Sequence, residues 1–160
     1  MARTEIDRAV LPSLLDRLTD ERPTQSADPP VSRDESARRF RESVQRDLDW
    51  LLNARRTIRT GPPESAVSRS VHEYGLPDFT SRTRSDAGWQ DRLLEDIAET
   101  IRRFEPRLTD VRVGLADDGN RQRVRFNIGA TLIMDPSPEQ VVFDTVLEVA
   151  SGDISVEDHT

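Results

Sequence analysis

Glu105 is the residue in this sequence best suited to acid–base chemistry. It follows an apolar helical pattern and precedes Pro106, at the edge of an apolar layer where a carboxyl group could keep its proton and act as a general acid. With a second carboxylate such as Asp78 or Asp110, it would have the residue types of a glycosidase site. The neighbouring arginines oppose this hypothesis, because a guanidinium favours an ionised carboxylate.

The same stretch, Glu105, Pro106 and Arg107, also suits recognition of a protein partner. Proline fixes the backbone, so both charged side chains leave a rigid turn in defined directions. Arginine binds carboxylates or helix-end carbonyls, and glutamate binds an arginine or caps a helix. A structural alternative uses these charges internally, as a Glu105–Arg107 pair or as a pair with the helix around Asp49. From the residues alone, all of these alternatives stay open.

Other kinds of site are not indicated by the sequence. It has no cysteine and two histidines, His72 and His159, which lack the spacing of metal ligands, so we expect no metal site. No glycine-rich loop follows a strand pattern, and we expect no cofactor. The formal net charge of -7 argues against nucleic-acid binding, and no apolar run is long enough to span a membrane.

The helix that leads to Glu105 is predicted over residues 89–104. Its apolar side chains recur at three- and four-residue steps and form one stripe. Because proline disfavours the helical conformation of the residue before it, the helix is expected to end at Glu105. The stripe consists of Trp89, Leu93, Ile97, Ile101 and Phe104.

Two earlier segments are also predicted to be helical. Residues 35–55 carry a longer apolar stripe, and residues 10–18 form a short helix that is too short to be stable alone. Polar residues with several prolines, 19–32, indicate a linker. We therefore predict three segments: a short helix with a flexible linker (1–33), the main domain (34–157) and a tail (158–160).

After residue 108 the apolar period changes to two, which indicates strands. Strands are predicted over 111–115, 124–132 and 140–149, with a short edge strand at 154–156. Helices followed by consecutive strands predict an α+β fold, with helices packed on one face of a small antiparallel sheet formed by the C-terminal half. One face of the third strand mixes apolar and acidic residues, as expected where a partner strand completes the burial. That face consists of Val142, Asp144, Val146 and Glu148.

Several stretches together resemble a known family. FEPRL (104–108) follows an amphipathic helix, alternating strands come next, and VVFDTVL (141–147) comes after them. This order is similar to the phage baseplate-wedge family, which is often mislabelled lysozyme-like. LLDRLTD (14–20), RDLDWLLN (46–53) and YGLPDF (74–79) resemble its type VI secretion branch, the TssE baseplate subunits.

The resemblance implies a structural, non-enzymatic role in a cytoplasmic baseplate, at the inner membrane but not inserted into it. Glu105, Pro106 and Arg107 match the family's Glu-Pro-Arg motif, which docks on a helical bundle made by the wedge proteins TssF and TssG. The strands resemble the sheet of the sheath, which implies a template for the sheath proteins TssB and TssC. The residues predicted to pair with a sheath strand are Val142, Asp144, Val146 and Glu148. The alternatives are a peptidoglycan glycosidase that uses Glu105 and a small regulatory adaptor on the same scaffold.

Overall fold

The structure is a computed structural model that describes residues 10, 12–19, 32–56, 65–79, 88–116, 122–135 and 137–158. The chain forms two compact units, Met1–Val44 and Gln45–Thr160, which divide inside a helix. The described residues contain helices followed by a four-stranded antiparallel sheet from the C-terminal half, so the predicted α+β class is confirmed. The predicted segments 1–33, 34–157 and 158–160 stay a prediction.

In the first unit, a short helix is attached to a long one by polar contacts. Helix α1 spans Leu14–Leu18, and helix α2 spans Arg33–Asn53. The Ser43 hydroxyl donates to Asp16 Oδ2 at 2.7 Å, and the Val10 amide donates to Ser36 Oγ at 3.0 Å. The leucines of α1 are exposed, namely Leu14, Leu15 and Leu18. Hydrogen bonds rather than burial of these apolar side chains therefore attach α1 to α2.

Two helical segments contribute to the core of the second unit. The C-terminal part of α2 buries Leu48, Leu51 and Leu52. Helix α3 spans Trp89–Phe104, and its predicted stripe is buried in the middle and half-buried at both ends. It stops at the predicted position, because Glu105 leaves the helical conformation ahead of the proline.

A pair of very short strands follows α2. Strand β1 (Arg55–Arg56) pairs in parallel with β2 (Leu76–Pro77), and two 3-10 turns, Ala66–Arg69 and Val71–Glu73, precede β2. The prediction that helix α2 continues to residue 55 is therefore wrong. Gly75 has φ 101°, and the next amide, of Leu76, donates to the Ala54 carbonyl at 2.9 Å. This backbone contact leaves no room for a side chain at position 75.

The larger sheet has the order β3-β4-β5-β6, and all neighbours are antiparallel. The strands are β3 (Leu108–Ala116), β4 (Arg123–Leu132), β5 (Glu139–Glu148) and β6 (Ile154–Asp158). The predicted alternation of the second strand is confirmed, since every second residue of β4 is buried. The turn predicted at 117–120 lies outside the described residues. The buried residues of β4 are Val124, Phe126, Ile128, Ala130 and Leu132.

We predict that Gly75→Ala lowers the free energy of unfolding by about 2 kcal/mol or more. Its φ strains any side chain, and an added Cβ would overlap the Ala54 carbonyl oxygen. Gly114→Ala is the matched control, because a Cβ there meets nothing within 4 Å. Urea unfolding measures both variants. Equal losses, or no loss at position 75, would contradict this account.

Candidate functional site

The stretch Glu105, Pro106 and Arg107, here called the corner, joins α3 to β3. The Glu105 amide donates to the Ile101 carbonyl at 2.8 Å and so closes the helix. Its own carbonyl accepts from the Leu108 amide at 3.2 Å, which makes a tight turn with Pro106 at the position that proline favours. The Ile133 amide donates to the Arg107 carbonyl at 2.8 Å. The corner is therefore fixed by main-chain bonds at both of its ends.

The charged side chains of the corner bind each other. Arg107 Nε donates to Glu105 Oε1 at 2.7 Å, and Arg107 Nη2 donates to Glu105 Oε2. The Arg107 amide also donates to Oε1, at 3.1 Å. Glu105 is only 4% exposed, whereas Pro106 is exposed. The internal Glu105–Arg107 pair, one of the alternatives that the sequence allowed, is thus present. It occupies both carboxylate oxygens of Glu105.

Arg107 also binds helix α2. Its Nη2 donates to Asp47 Oδ2 at 2.6 Å, so the predicted contact with the helix around Asp49 is made by Asp47. The other Asp47 oxygen accepts from Arg46 Nη2 at 3.1 Å. The guanidinium of Arg46 lies 5.1 Å from the ring centre of Trp50, which is 51% exposed. We call Glu105, Arg107, Asp47 and Arg46 the corner network; it runs from the buried Glu105 to the exposed Trp50.

The network raises the pKa of two groups, its own member Arg107 and the neighbouring Tyr74. Burial alone would lower the pKa of Arg107, but hydrogen bonds and attraction from Glu105 and then Asp47 raise it above its usual range. Glu105 and Asp47 therefore favour the charged form of Arg107. Burial raises the pKa of Tyr74, and the negative charges of Asp47 and Glu105 add to this effect. Tyr74 also makes an edge contact with Phe104, with ring centres 5.4 Å apart.

This geometry suits a rigid, charged surface feature better than acid–base catalysis. Glu105 and Asp47 bind the same guanidinium instead of facing each other across a cleft. Asp110, one of the predicted second carboxylates, is exposed and accepts from the Thr131 hydroxyl at 3.3 Å. Within the described ranges, no three of the histidine, aspartate and glutamate side chains converge in a way that could hold a metal ion.

The residues predicted to pair with a sheath strand lie on the sheet face opposite the buried one. They belong to β5, which has β4 on one side and β6 on the other over Phe143–Leu147. The main chain at Asp144 and Val146 is therefore already between two strands, and pairing there would require β6 to leave. Val142 and Glu148 pair with β4 but not with β6, and the main chain of Glu148 is bonded to the turn that leads into β6, through Asp153 and Gly152. The set is Val142, Asp144, Val146 and Glu148.

Sequence reasoning missed most of the surroundings of the corner. Asp47 and Arg46 look like ordinary residues of a solvated helix face, and they meet Arg107 only because of the tertiary fold. Tyr74 comes from a turn segment. The available signal was indirect: RDLDWLLN and YGLPDF were singled out by resemblance, and both supply neighbours of the corner.

Comparison with known families agrees with the resemblance. The family model described as baseplate wedge protein gp25 matches residues 38–137, well over half of the chain. The matched stretch includes the corner, β3 and β4. No curated protein and no solved structure matches the chain. The match supports a structural role in a baseplate of the phage type, in contact with other baseplate proteins. None of the described helices is long and apolar enough to cross a membrane.

We predict that Arg107→Ala lowers the free energy of unfolding by roughly 3 kcal/mol, because it leaves the buried Glu105 without its cation and removes one of the two arginines that bind Asp47. Arg123→Ala is the matched control. It breaks an Arg123–Glu148 pair of 2.8 Å whose side chains are 52% and 46% exposed, so the expected loss is at most about 1 kcal/mol. Chemical unfolding of both variants measures the difference. Similar small losses would show that the corner pair is not structural.

Tyr74 is the single tyrosine of the chain, so its ultraviolet titration reports on the corner network directly. We predict a pKa for Tyr74 above the ordinary value of 10.0 in the folded protein. Asp47→Asn should lower this pKa, because it removes one of the negative charges that oppose ionisation of the phenol. Asp91→Asn, on the exposed first turn of α3, is the control and should leave it unchanged. An unshifted Asp47→Asn titration would contradict the assigned cause.

Proposed function

Since the chain belongs to the family of baseplate wedge protein gp25, we propose that it is the wedge subunit of a type VI secretion baseplate, at the cytoplasmic face of the inner membrane. One observation carries the type VI assignment. The segments that resemble the TssE branch, RDLDWLLN and YGLPDF, provide Asp47, Arg46, Trp50 and Tyr74, the side chains that surround the corner. Two of the three stretches that resemble this branch therefore contribute to one site in three dimensions.

We propose that TssF and TssG bind at the corner. Pro106 is exposed, and the Arg107 side chain keeps 19% of its surface accessible, whereas Glu105 is buried. The three motif residues then have different tasks. Pro106 and the accessible part of Arg107 contact the partner, and Glu105 holds Arg107 in one orientation. Preorganised side chains bind with a lower entropic cost, which favours a rigid corner over a mobile pair of charges.

The exposed Trp50 extends this proposed interface. It is linked to Arg107 through Arg46 and Asp47, and an exposed tryptophan with a stacked arginine is typical of the residues that dominate interface energies. The apolar ring and the cation together suit a helical surface that carries both apolar and acidic residues. This is the kind of surface that a helical bundle presents.

We further propose that the four-stranded sheet provides the template for the sheath proteins TssB and TssC. Its strands are antiparallel, and an outer strand of such a sheet is a candidate for main-chain pairing with an added strand. The glycosidase alternative is disfavoured by the two Glu105 oxygens that bind Arg107. No particular contact favours the regulatory adaptor.

We predict that Pro106→Gln abolishes co-purification with TssF and TssG, because the substitution replaces the exposed, rigid residue of the corner. A proline in a turn is worth about 1 kcal/mol, so the variant should still be folded. Pro138→Gln, another exposed proline, is the matched control and should co-purify normally. Trp50→Ala should weaken co-purification independently.

The outcomes separate the hypotheses. Normal co-purification of both Pro106→Gln and Trp50→Ala would overturn the assigned interface. Release of sugar ends from peptidoglycan by the wild-type protein, abolished by Glu105→Gln, would overturn the structural role and support the glycosidase. Circular dichroism checks that each variant is folded.

A further inference from the structure

The outer edge of β6 is already occupied by side chains of α2. The Ile154 amide donates to Asn53 Oδ1 at 2.9 Å, and Asn53 Nδ2 donates to the Ile154 carbonyl at 2.7 Å. Gln45 Nε2 donates to the Val156 carbonyl at 2.8 Å. These are the bonds that a neighbouring strand would make with alternate residues of an edge. Two carboxamides therefore close this edge against strand addition.

The outer edge of β3 is blocked at its start. The pairing with β4 shifts register between Thr109 and Arg112, and Asp110 has φ 53° within this bulge. The next carbonyl, of Val111, accepts from Arg102 Nη2 of helix α3 at 2.7 Å. A bulge and an arginine that binds an edge carbonyl both prevent an added strand from pairing at this end.

Among the described residues, none pairs with the outer side of the rest of β3. From Arg112 to Ala116 the register with β4 is regular, and among the described residues no hydrogen bond is made to the main chain of this stretch from its other side. Backbone groups of alternate residues point to the same side of a strand. Val113 and Leu115 therefore direct their amides and carbonyls outward, as Val111 does. Leu115 is also 46% exposed, which leaves apolar surface beside these groups.

The open stretch carries an exposed cation. The Arg112 side chain is exposed, and no carboxylate among the described residues forms an ion pair with it. Its neighbour on β4 is Gly129, which has no side chain, and Arg125 lies on the same face of β4, opposite Ala116. A residue of an added strand directly opposite Arg112 would meet a guanidinium. Opposite charges at such positions stabilise strand pairing.

We propose that the edge Arg112–Ala116 of β3 binds an extended partner segment in which apolar residues alternate with carboxylates. The apolar residues of the segment lie beside Val113 and Leu115 on the same face of the sheet, and one of its carboxylates binds Arg112. Gln45 and Asn53 keep the segment away from β6. This inference rests on the proposed sheath template and adds to it the edge that is used and the chemistry of the strand that it accepts.

The test uses the full-length, isotope-labelled protein and two short synthetic peptides, one of alternating valine and glutamate and one of alternating valine and lysine. In NMR titrations, the acidic peptide should shift the amide signals of Val113 and Leu115 and should bind about fivefold more tightly than the lysine peptide. Shifts at Ile154 and Val156 instead, or no shift at Val113 and Leu115, would overturn the proposal.

Three variants sharpen the test. Arg112→Glu should reverse the preference between the two peptides, with the fold unchanged at an exposed position. Leu115→Pro removes an outward amide that β4 does not use, a substitution that edge strands tolerate, and should abolish binding. Asn53→Ala should create a second set of shifts, at Ile154. An unchanged peptide preference in Arg112→Glu would overturn the assigned role of the cation.

A second assay separates this inference from the proposed function. Wild-type protein and Leu115→Pro are each tested for seeding of sheath polymerisation by TssB and TssC. Peptide binding at β3 without wild-type seeding would overturn the sheath template and leave the edge assignment standing. Wild-type seeding that Leu115→Pro retains would overturn the edge assignment and leave the template standing. Seeding that is lost only in Leu115→Pro supports both.

Discussion

The position of the guanidinium of Arg107 between two carboxylates is the interaction on which the second unit depends. Glu105 ends α3, Arg107 leads into β3, and Asp47 belongs to α2, so one cation connects three elements. A carboxylate that is 4% exposed is costly unless it is paired and hydrogen-bonded, and here both of its oxygens are bound. The motif is therefore structural and a candidate contact site at once. Loss of binding after a change at Arg107 is informative only if the fold is measured too.

Local patterns predicted the three helices, the four strands of the larger sheet and the end of α3. The stripe of α3 and the alternation of β4 depend on periodicities of one segment, and Pro106 determines the end of α3 through its effect on its immediate neighbour. The prediction for α2 was wrong at residue 55 because Arg55 belongs to a strand that pairs with β2, and its guanidinium donates to the Leu52 carbonyl. A cation near a helix end looks the same in sequence whether it lies in the last turn or just after it.

The site itself could be predicted only in part. Glu105, Pro106 and Arg107 are adjacent, so their proximity was certain, and the internal pair was among the stated alternatives. Asp47 lies 60 positions away from Arg107, and Asn53 lies 101 positions away from Ile154. No local pattern encodes which of many similar polar side chains meets a given partner. The mixed face of β5 suggested that β5 has a free edge, but β6 pairs with β5 at that edge. This pairing is also a long-range contact that the local pattern of β5 does not encode.

The closure of β6 has a consequence for the order of folding. Gln45 precedes its partner carbonyl by 111 positions, and Asn53 precedes its partner by 101. During synthesis, α2 leaves the ribosome long before β6 does, so the side chains that close the edge are present when the strand emerges. A chain refolding from denaturant lacks this sequence of events, and long-range contacts are slow to form. Until these contacts form, the β6 edge is accessible to other chains, and a high concentration of refolding chains favours strand exchange and aggregation.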